Sequence, residues 1–236
     1  MTSPDDRRRA ATHVFVDPAA LDDDVVALDA DTAHHLQRVL RLRDGESVSV
    51  SDGAGRWRMS TARVAGAAVV LEALGDVALD ESLPGSFTLA TAIPKGDRVE
   101  WLVLKATEVG VDRIRFLHTG RSVVRWKSQR AENQLERLRR ISLEAARQSR
   151  RTRLVEIDGP LDAGDVLPHA VVAEPGGRPV TASDTILAVG PEGGWTPEEL
   201  ETAGDHVSLG PNVLRTETAA VIGIALSVSA RYGCVQ

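Results

Sequence analysis

Two junctions near the carboxyl end hold the residues best able to do chemistry. In the first, the apolar run Ile186-Leu187-Ala188-Val189 leads into Gly190-Pro191-Glu192-Gly193-Gly194-Trp195, and Thr196-Pro197-Glu198-Glu199 then opens a helix. Thr196 suits the N-cap, Pro197 the first helical position and Glu199 the reciprocal arm of a capping box. Glycines at the carboxyl end of a buried strand let backbone approach a ligand closely, and ligands of open α/β sheets bind at that end. In the second junction, Val207-Ser208-Leu209 leads into Gly210-Pro211-Asn212-Val213-Leu214-Arg215-Thr216-Glu217, and Ala219 to Ser229 continues as an almost wholly apolar helix. Such a helix is buried in a core or a subunit contact. Charges at its mouth are costly unless paired or used, so Arg215 and Glu217 form either a structural ion pair with a helix cap or part of a reaction centre. Neither loop reads G-x-G-x-x-G or G-x-x-x-x-G-K-[ST], which removes the usual support for dinucleotide and nucleoside-triphosphate sites. A nucleoside without phosphates stays open as the ligand. The scattered histidines lack ligand spacing, so no metal is expected.

The elements that must position these loops alternate strand and helix from about Gly85 onward, the pattern of a mostly parallel sheet covered by helices. Strands are expected at Phe87 to Ile93, Arg113 to Leu117, Leu154 to Ile157, Val171 to Ala173, Thr185 to Val189 and Val207 to Leu209. Asp97 with Glu100 resembles a capping box for a helix that Gly110 stops. A long helix is expected over Glu132 to Ser149, with Leu135, Leu138, Ser142 and Ala145 facing inward. Arg137, Arg140, Glu144, Arg147 and Arg151 would share its opposite face as a basic ridge. The first third has a different texture. Short strand-like runs at Ser47 to Ser51, Trp57 to Met59, Ala62 to Val64 and Val69 to Leu71 alternate with turns such as Asp52-Gly53-Ala54-Gly55, after one helix near Thr32 to Leu40. The polar stretch Asp80 to Gly85 suits a linker.

A chain of 236 residues with 42% hydrophobic content has room for a large core and a smaller satellite. Its net charge of −6 taken alone argues against a polyanionic partner. The distribution argues the other way. Between Arg121 and Arg153 stand eleven Lys and Arg against three Glu, a local +8 that leaves −14 for the rest. Segregation of this kind reads as a polyanion footprint on an acidic body. One cysteine, Cys234, permits no intrachain disulfide, and a reducing cytoplasm follows as the expected location. The longest apolar run, Ala219 to Val228, is too short to span a membrane. Arg7, Arg8 and Arg9 near the start precede no signal-peptide core, and Met1 to Thr12 is expected to be a frayed tail.

The two C-terminal loops together, Gly190 to Gly194 and Leu209 to Ala219, resemble the paired signature of the RsmE-type 16S rRNA uracil-N3 methyltransferases of the SPOUT superfamily. The resemblance extends over nearly the whole chain. His34-His35-Leu36-Gln37-Arg38-Val39-Leu40-Arg41 is similar to that family's PUA-like amino-terminal domain, and Lys95-Gly96-Asp97-Arg98 with Lys105 to Val111 to the start of its catalytic domain. One segment departs: relatives often have Glu-Gln, a small residue and Gly-Arg where this chain has Arg147-Gln148-Ser149-Arg150-Arg151. The resemblance implies a PUA-like β-barrel domain over residues 1–82 and a SPOUT-type α/β domain with a C-terminal trefoil knot over 83–236. It also implies a homodimer with the active site near the subunit contact, S-adenosyl-L-methionine as cofactor, and 16S rRNA or the small ribosomal subunit as partner.

From this resemblance Val189, Gly190, Gly193, Leu209, Gly210, Asn212, Leu214 and Thr218 are expected at the cofactor. His35, Arg38, Arg41, Lys95, Arg121, Arg125, Arg147, Gln148 and Arg151 are expected at the RNA. Methylation at uracil N3 requires an unpaired base that loses its N3 proton before or during attack, leaving negative charge on the flanking carbonyls. Arg215 is the expected stabiliser of that charge. Glu217 or Glu192 accepts the proton or orients the cofactor, and the residues do not separate the two. A ribose 2′-O-methyltransferase of the same superfamily, a catalytically silent RNA-binding or assembly factor, and a metabolic enzyme with a nucleoside ligand, which the basic ridge disfavours, are the competing readings.

Overall fold

The computed structural model describes residues 3–80 and 86–233. The chain divides into two compact units: Met1–Ser82 with Ala146–Leu154, and Leu83–Ala145 with Val155–Gln236. Cys234 and all of the expected linker after Asp80 lie outside the described residues.

The first unit opens on a short helix, α1 (Pro4–Arg9), so the stretch expected to fray is folded from Ser3 onward. Its cap explains why. Ser3 accepts from the Asp6 backbone N–H while Asp6 bonds back to Ser3, the reciprocal arrangement that satisfies two otherwise orphaned donors. Arg7 then fixes the helix, pairing with Asp80 at 2.6 Å and lying over the Trp57 ring at 4.9 Å. Strand β1 (Thr12–Phe15), which the sequence reading missed, is followed by β2 (Val25–Ala27), helix α2 (Ala30–Arg38), β3 (Ser47–Ser51), β4 (Arg56–Ala65) and β5 (Ala68–Leu79). These strands form one sheet in the order β1-β3-β4-β5-β2, with β1 and β3 parallel and the other pairs antiparallel. Side chains alternate across it. Val14, Val48 and Val50 join Leu36 of α2 and Leu71 in one core, whereas His13, Ser49, Trp57 and Met59 sit on other positions of the same strands.

The segment Ala146–Leu154 belongs to this unit by its bonds. Arg150 donates to the Ala10 and Ala11 carbonyls, Ser51 donates its hydroxyl to the Thr152 carbonyl at 2.8 Å, and Arg153 forms an isolated bridge with Ala54. Arg150 itself takes φ +59, a conformation that costs a side-chain-bearing residue and is held here by those bonds.

The second unit is built from β6 (Thr88–Ala92), α3 (Arg98–Val109), β7 (Arg113–His118), α4 (Ser128–Gln148), β8 (Glu156–Asp162), α5 (Ala163–Val166), β9 (Val171–Arg178), β10 (Ile186–Val189), α6 (Pro197–Thr202), β11 (Asp205–Val207) and α7 (Thr216–Arg231). Six strands pair wholly in parallel in the order β11-β9-β10-β6-β7-β8. Both faces are covered, as a parallel sheet requires. Leu89, Leu187 and Val189 point to a core shared with α3, α4 and α7, while their neighbours Ala90 and Ala188 point to a second core with α5, Trp195 and Leu200 of α6.

Several boundaries differ from expectation for local reasons. Asp97 is the N-cap of α3 but makes no side-chain cap bond, its backbone being helical (φ −71, ψ −9) rather than extended, and Glu100 pairs with Arg137 at 2.7 Å instead of reaching back. The last helical residue of α4 is Gln148, so Arg151 lies beyond the helix rather than on its face. Arg137 and Arg140 are paired with Glu100 and Glu136, which reduces the expected ridge there. Strand β8 begins at Glu156, two residues later than expected, and β11 ends at Val207, before the loop that follows it.

Close packing of α7 on the sheet depends on Gly223. A Cβ at that position would collide with the Leu187 side chain of β10. No helix of the described residues is long and apolar enough to cross a membrane.

Candidate active site

The first loop leaves β10 at Val189 and turns over the Trp195 ring. A Cβ on Gly190 would lie 2.9 Å from the indole, so glycine is what allows the backbone to run against the ring. The indole Nε1 is buried and has no hydrogen-bond partner among the described residues. The loop ends in the capping box foreseen from Thr196 and Glu199, with bonds of 3.2 and 2.8 Å. Glu199 does a second job, since its other oxygen accepts from the Gly120 N–H at 2.8 Å and ties α6 to the turn after β7. Arg121 in that turn donates to the Gly193 carbonyl at 3.0 Å.

The second loop, after β11, ends where Arg215 caps α7 with extended backbone and no side-chain cap bond. The first residue of that helix reaches the other loop: the Thr216 hydroxyl donates to the Gly190 carbonyl at 3.0 Å. The two glycine loops thereby enclose one cavity of about 240 Å³. Val189, Gly190, Glu192, Leu209, Gly210, Asn212 and Leu214, all singled out from the sequence, line it. Gly193 and Thr218 do not. The Gly193 carbonyl is turned to Arg121, and Thr218 lies on α7 past the rim. A third wall was missed, formed by Ala173, Glu174 and Pro175 of β9. The available signal was the run Glu174-Pro175-Gly176-Gly177, whose glycines repeat the pattern of the first loop.

The three acid–base candidates separate. Glu192 lines the cavity and Glu217 is buried, 6% exposed, at the start of α7. Both approach one guanidinium that the sequence reading did not single out: Arg98 Nη1 lies 3.3 Å from Glu192 Oε1 and 3.5 Å from Glu217 Oε1. Arg98 is held in turn by its Nε donating to the Lys95 carbonyl at 3.2 Å. The ion pair considered between Arg215 and Glu217 therefore does not form, because Glu217 is taken by Arg98. Arg215 is exposed, lines no part of the cavity, and its side chain has no hydrogen bond or ion pair among the described residues. The second oxygen of Glu217 is buried without a partner among the described residues.

The basic candidates are distributed over both units. In the first, His35 and Arg38 lie on α2, Arg41 follows at φ +56, and Arg147, Gln148 and Arg151 lie on the added segment. In the second, Lys95 is exposed after β6, Arg121 holds Gly193, and Arg125 donates to the Thr119 carbonyl at 2.9 Å. Among the described residues no group of three or more His, Cys, Asp or Glu converges as metal ligands would.

Two family descriptions match the chain: an RNA methyltransferase domain over residues 81–228 and an RNA methyltransferase PUA domain over residues 28–61. A PUA-like unit and a parallel α/β unit with a glycine-lined cavity thus define the class, a two-unit RNA methyltransferase of SPOUT type. Among curated proteins, the chain is 33% identical to the ribosomal RNA small subunit methyltransferase E of Synechocystis, over 91% of this chain and 76% of the relative. It is 32% identical to the same enzyme of Mycobacterium bovis, over 85% and 84%. Among solved structures, ribosomal RNA small subunit methyltransferase E of Neisseria gonorrhoeae bound to S-adenosyl methionine is 28% identical, with a TM-score of 0.77 over 91% of this chain and 95% of that one. The chain belongs to the ribosomal RNA small subunit methyltransferase E family.

Proposed function

We propose that this protein transfers a methyl group from S-adenosylmethionine to N3 of a specific uridine in 16S rRNA of the small ribosomal subunit. The observation that carries this reading is the Thr216 to Gly190 hydrogen bond, which joins the two signature loops around one cavity. The residues present fit the cofactor. The cavity is lined largely by backbone and apolar groups, which suit a nucleoside, and its charged lining residues are Glu174 and Glu192 with no Lys or Arg. A triphosphate or dinucleotide would meet no cation there, whereas the positive sulfonium of the cofactor meets carboxylates of opposite sign.

Bound S-adenosylmethionine supplies an electrophilic methyl group for in-line displacement. The protein's share is to hold the acceptor base in line, remove its proton and offset the charge that develops. Glu217 suits the proton acceptor, since one oxygen is fixed by Arg98 and the other is buried and unpartnered. Glu192, on the cavity wall, suits orientation of the cofactor. Arg215, exposed at the mouth of α7, is free to swing onto the carbonyl oxygens of an incoming uracil. His35, Arg38, Arg41, Arg147, Gln148 and Arg151 of the first unit grip the RNA backbone, with Lys95, Arg121 and Arg125 of the second.

The working state is a cytoplasmic homodimer whose C-terminal segment forms the trefoil knot of its superfamily. Support for the dimer is an apolar surface on α3 and α7, where Trp101, Ile222 and Leu226 are exposed.

The test is single-turnover methylation of small-subunit RNA followed by mass spectrometry of the modified nucleoside. Arg215→Ala is expected to lose on the order of 100-fold or more in rate while keeping cofactor affinity. Undiminished turnover would remove Arg215 from the mechanism, and a methyl group on a ribose 2′-oxygen would overturn the uracil-N3 assignment.

A further inference from the structure

The cavity wall carries two carboxylates of different standing. Glu192 has the Arg98 guanidinium at 3.3 Å but shares it with Glu217 at 3.5 Å, so its charge is answered in part within the protein. Glu174, on β9, is half-buried and lines the cavity, and its carboxylate has no hydrogen bond or ion pair among the described residues. A partly desolvated carboxylate without a cation raises the free energy of the empty site unless the ligand brings positive charge. With no Lys or Arg in the lining, and Arg98 divided between Glu192 and Glu217, the wall carries net negative charge, and Glu174 is the part of it with no cation beside it.

We propose that Glu174 is a specificity determinant that makes the site favour the cationic methyl donor over its neutral product. This rests on the cofactor reading above. S-adenosylmethionine carries a sulfonium, an ammonium and a carboxylate, a net charge of +1. When the methyl group leaves, the electrons of the broken S–CH3 bond remain on sulfur as a lone pair, the new N–CH3 bond uses the electrons of N3, and the N3 proton passes to the base. The sulfur is then an uncharged thioether and the product S-adenosylhomocysteine has net charge zero. Glu174 attracts the first more than the second. Turnover itself therefore weakens the hold on the spent cofactor, and exchange for a fresh one follows without a conformational device.

Isothermal titration of the full-length protein with each compound tests this. The wild-type protein is expected to prefer S-adenosylmethionine by roughly tenfold, a preference that shrinks with added salt because the carboxylate is only half-buried. Glu174→Gln is expected to bring the two affinities to within about twofold by weakening the sulfonium compound alone. Glu174→Asp, which keeps the charge, should retain most of the preference and serves as the folding control. Equal weakening of both ligands by Glu174→Gln would mean that Glu174 accepts hydrogen bonds from a part common to both, such as ribose hydroxyls, and would overturn the inference. So would an unchanged ratio. If the wild-type protein bound neither compound, the cofactor reading would fall first and this inference with it.

Discussion

His13 shows how one residue can set the acid limit of a whole unit. It lies on β1, 1% exposed, with Nδ1 2.8 Å from the Ser49 hydroxyl and Nε2 without a partner among the described residues. Burial lowers its pKa to about 3, and the positive charges of Arg150, Arg7 and Arg147 push the same way. In the unfolded chain the same imidazole titrates near about 6.5. The folded form therefore binds fewer protons between these values, and stability is lost as the pH falls through that window. Linkage gives a loss of about 2 kcal/mol between pH 7 and pH 5. Denaturant titrations followed by fluorescence of Trp57 in a variant lacking the other three tryptophans measure it. In that background His13→Gln should flatten the slope, and an unchanged slope would assign the acid sensitivity to another group. Residue types at the site were legible in the same measure as their chemistry is local. Glycines, the capping pair Thr196 and Glu199, and the loop positions along 189–214 announce themselves by spacing. Arg98 and Glu174 do not, because their roles depend on which distant carboxylate or cavity the folded chain brings to them.

At the scale of elements, α7 is where sequence and packing disagree most usefully. Its composition predicts burial on every side, yet Ala220, Gly223, Ile224 and Ser227 are buried while Ile222 and Leu226 are exposed. The buried stripe seats the helix on β10, and with it fixes Thr216 at the cavity and Glu217 beside Arg98. Gly223→Ala would drive a methyl group into Leu187, and a forced repacking of this kind costs about 1–3 kcal/mol. Chemical denaturation should show that loss, accompanied by weaker cofactor binding as the Thr216 to Gly190 bond lengthens. A stable variant with normal affinity would mean that the helix can shift without disturbing the loops. The alternating strands and helices of this unit were readable because periodicity reports local burial. Element ends were less so: Asp97 has the residues of a capping box, but Glu100 is drawn off by Arg137, a partner far along the chain.

At the scale of the whole molecule, the exposed apolar residues of α3 and α7 bear on assembly. Replacing Ile222 and Leu226 together with Asp should halve the mass measured by light scattering if this surface is the subunit contact, since two buried charges cannot be accommodated there. A wild-type mass for that double variant would move the contact elsewhere. The division into two units was readable from the change in texture near residue 85, but the crossing of Ala146–Leu154 into the first unit was not. Nothing in Arg147 to Arg153 distinguishes residues that hold carbonyls of Ala10, Ala11 and Ala54 from residues that would meet RNA, because both uses call for the same guanidinium. Arg150 and Arg153 are spent on the protein itself.

That crossing has a consequence for the order of events during synthesis. The amino-terminal unit emerges first from the ribosome, yet it cannot be finished from its own first eighty residues. Ser51 waits for Thr152, and the carbonyls of Ala10 and Ala11 wait for Arg150. Until α4 has been translated to its end, one side of the early sheet remains open and its polar groups are satisfied only by water or a chaperone. A nascent chain stalled before residue 150 is therefore left with an incomplete front unit, even though every strand of that unit has already been made.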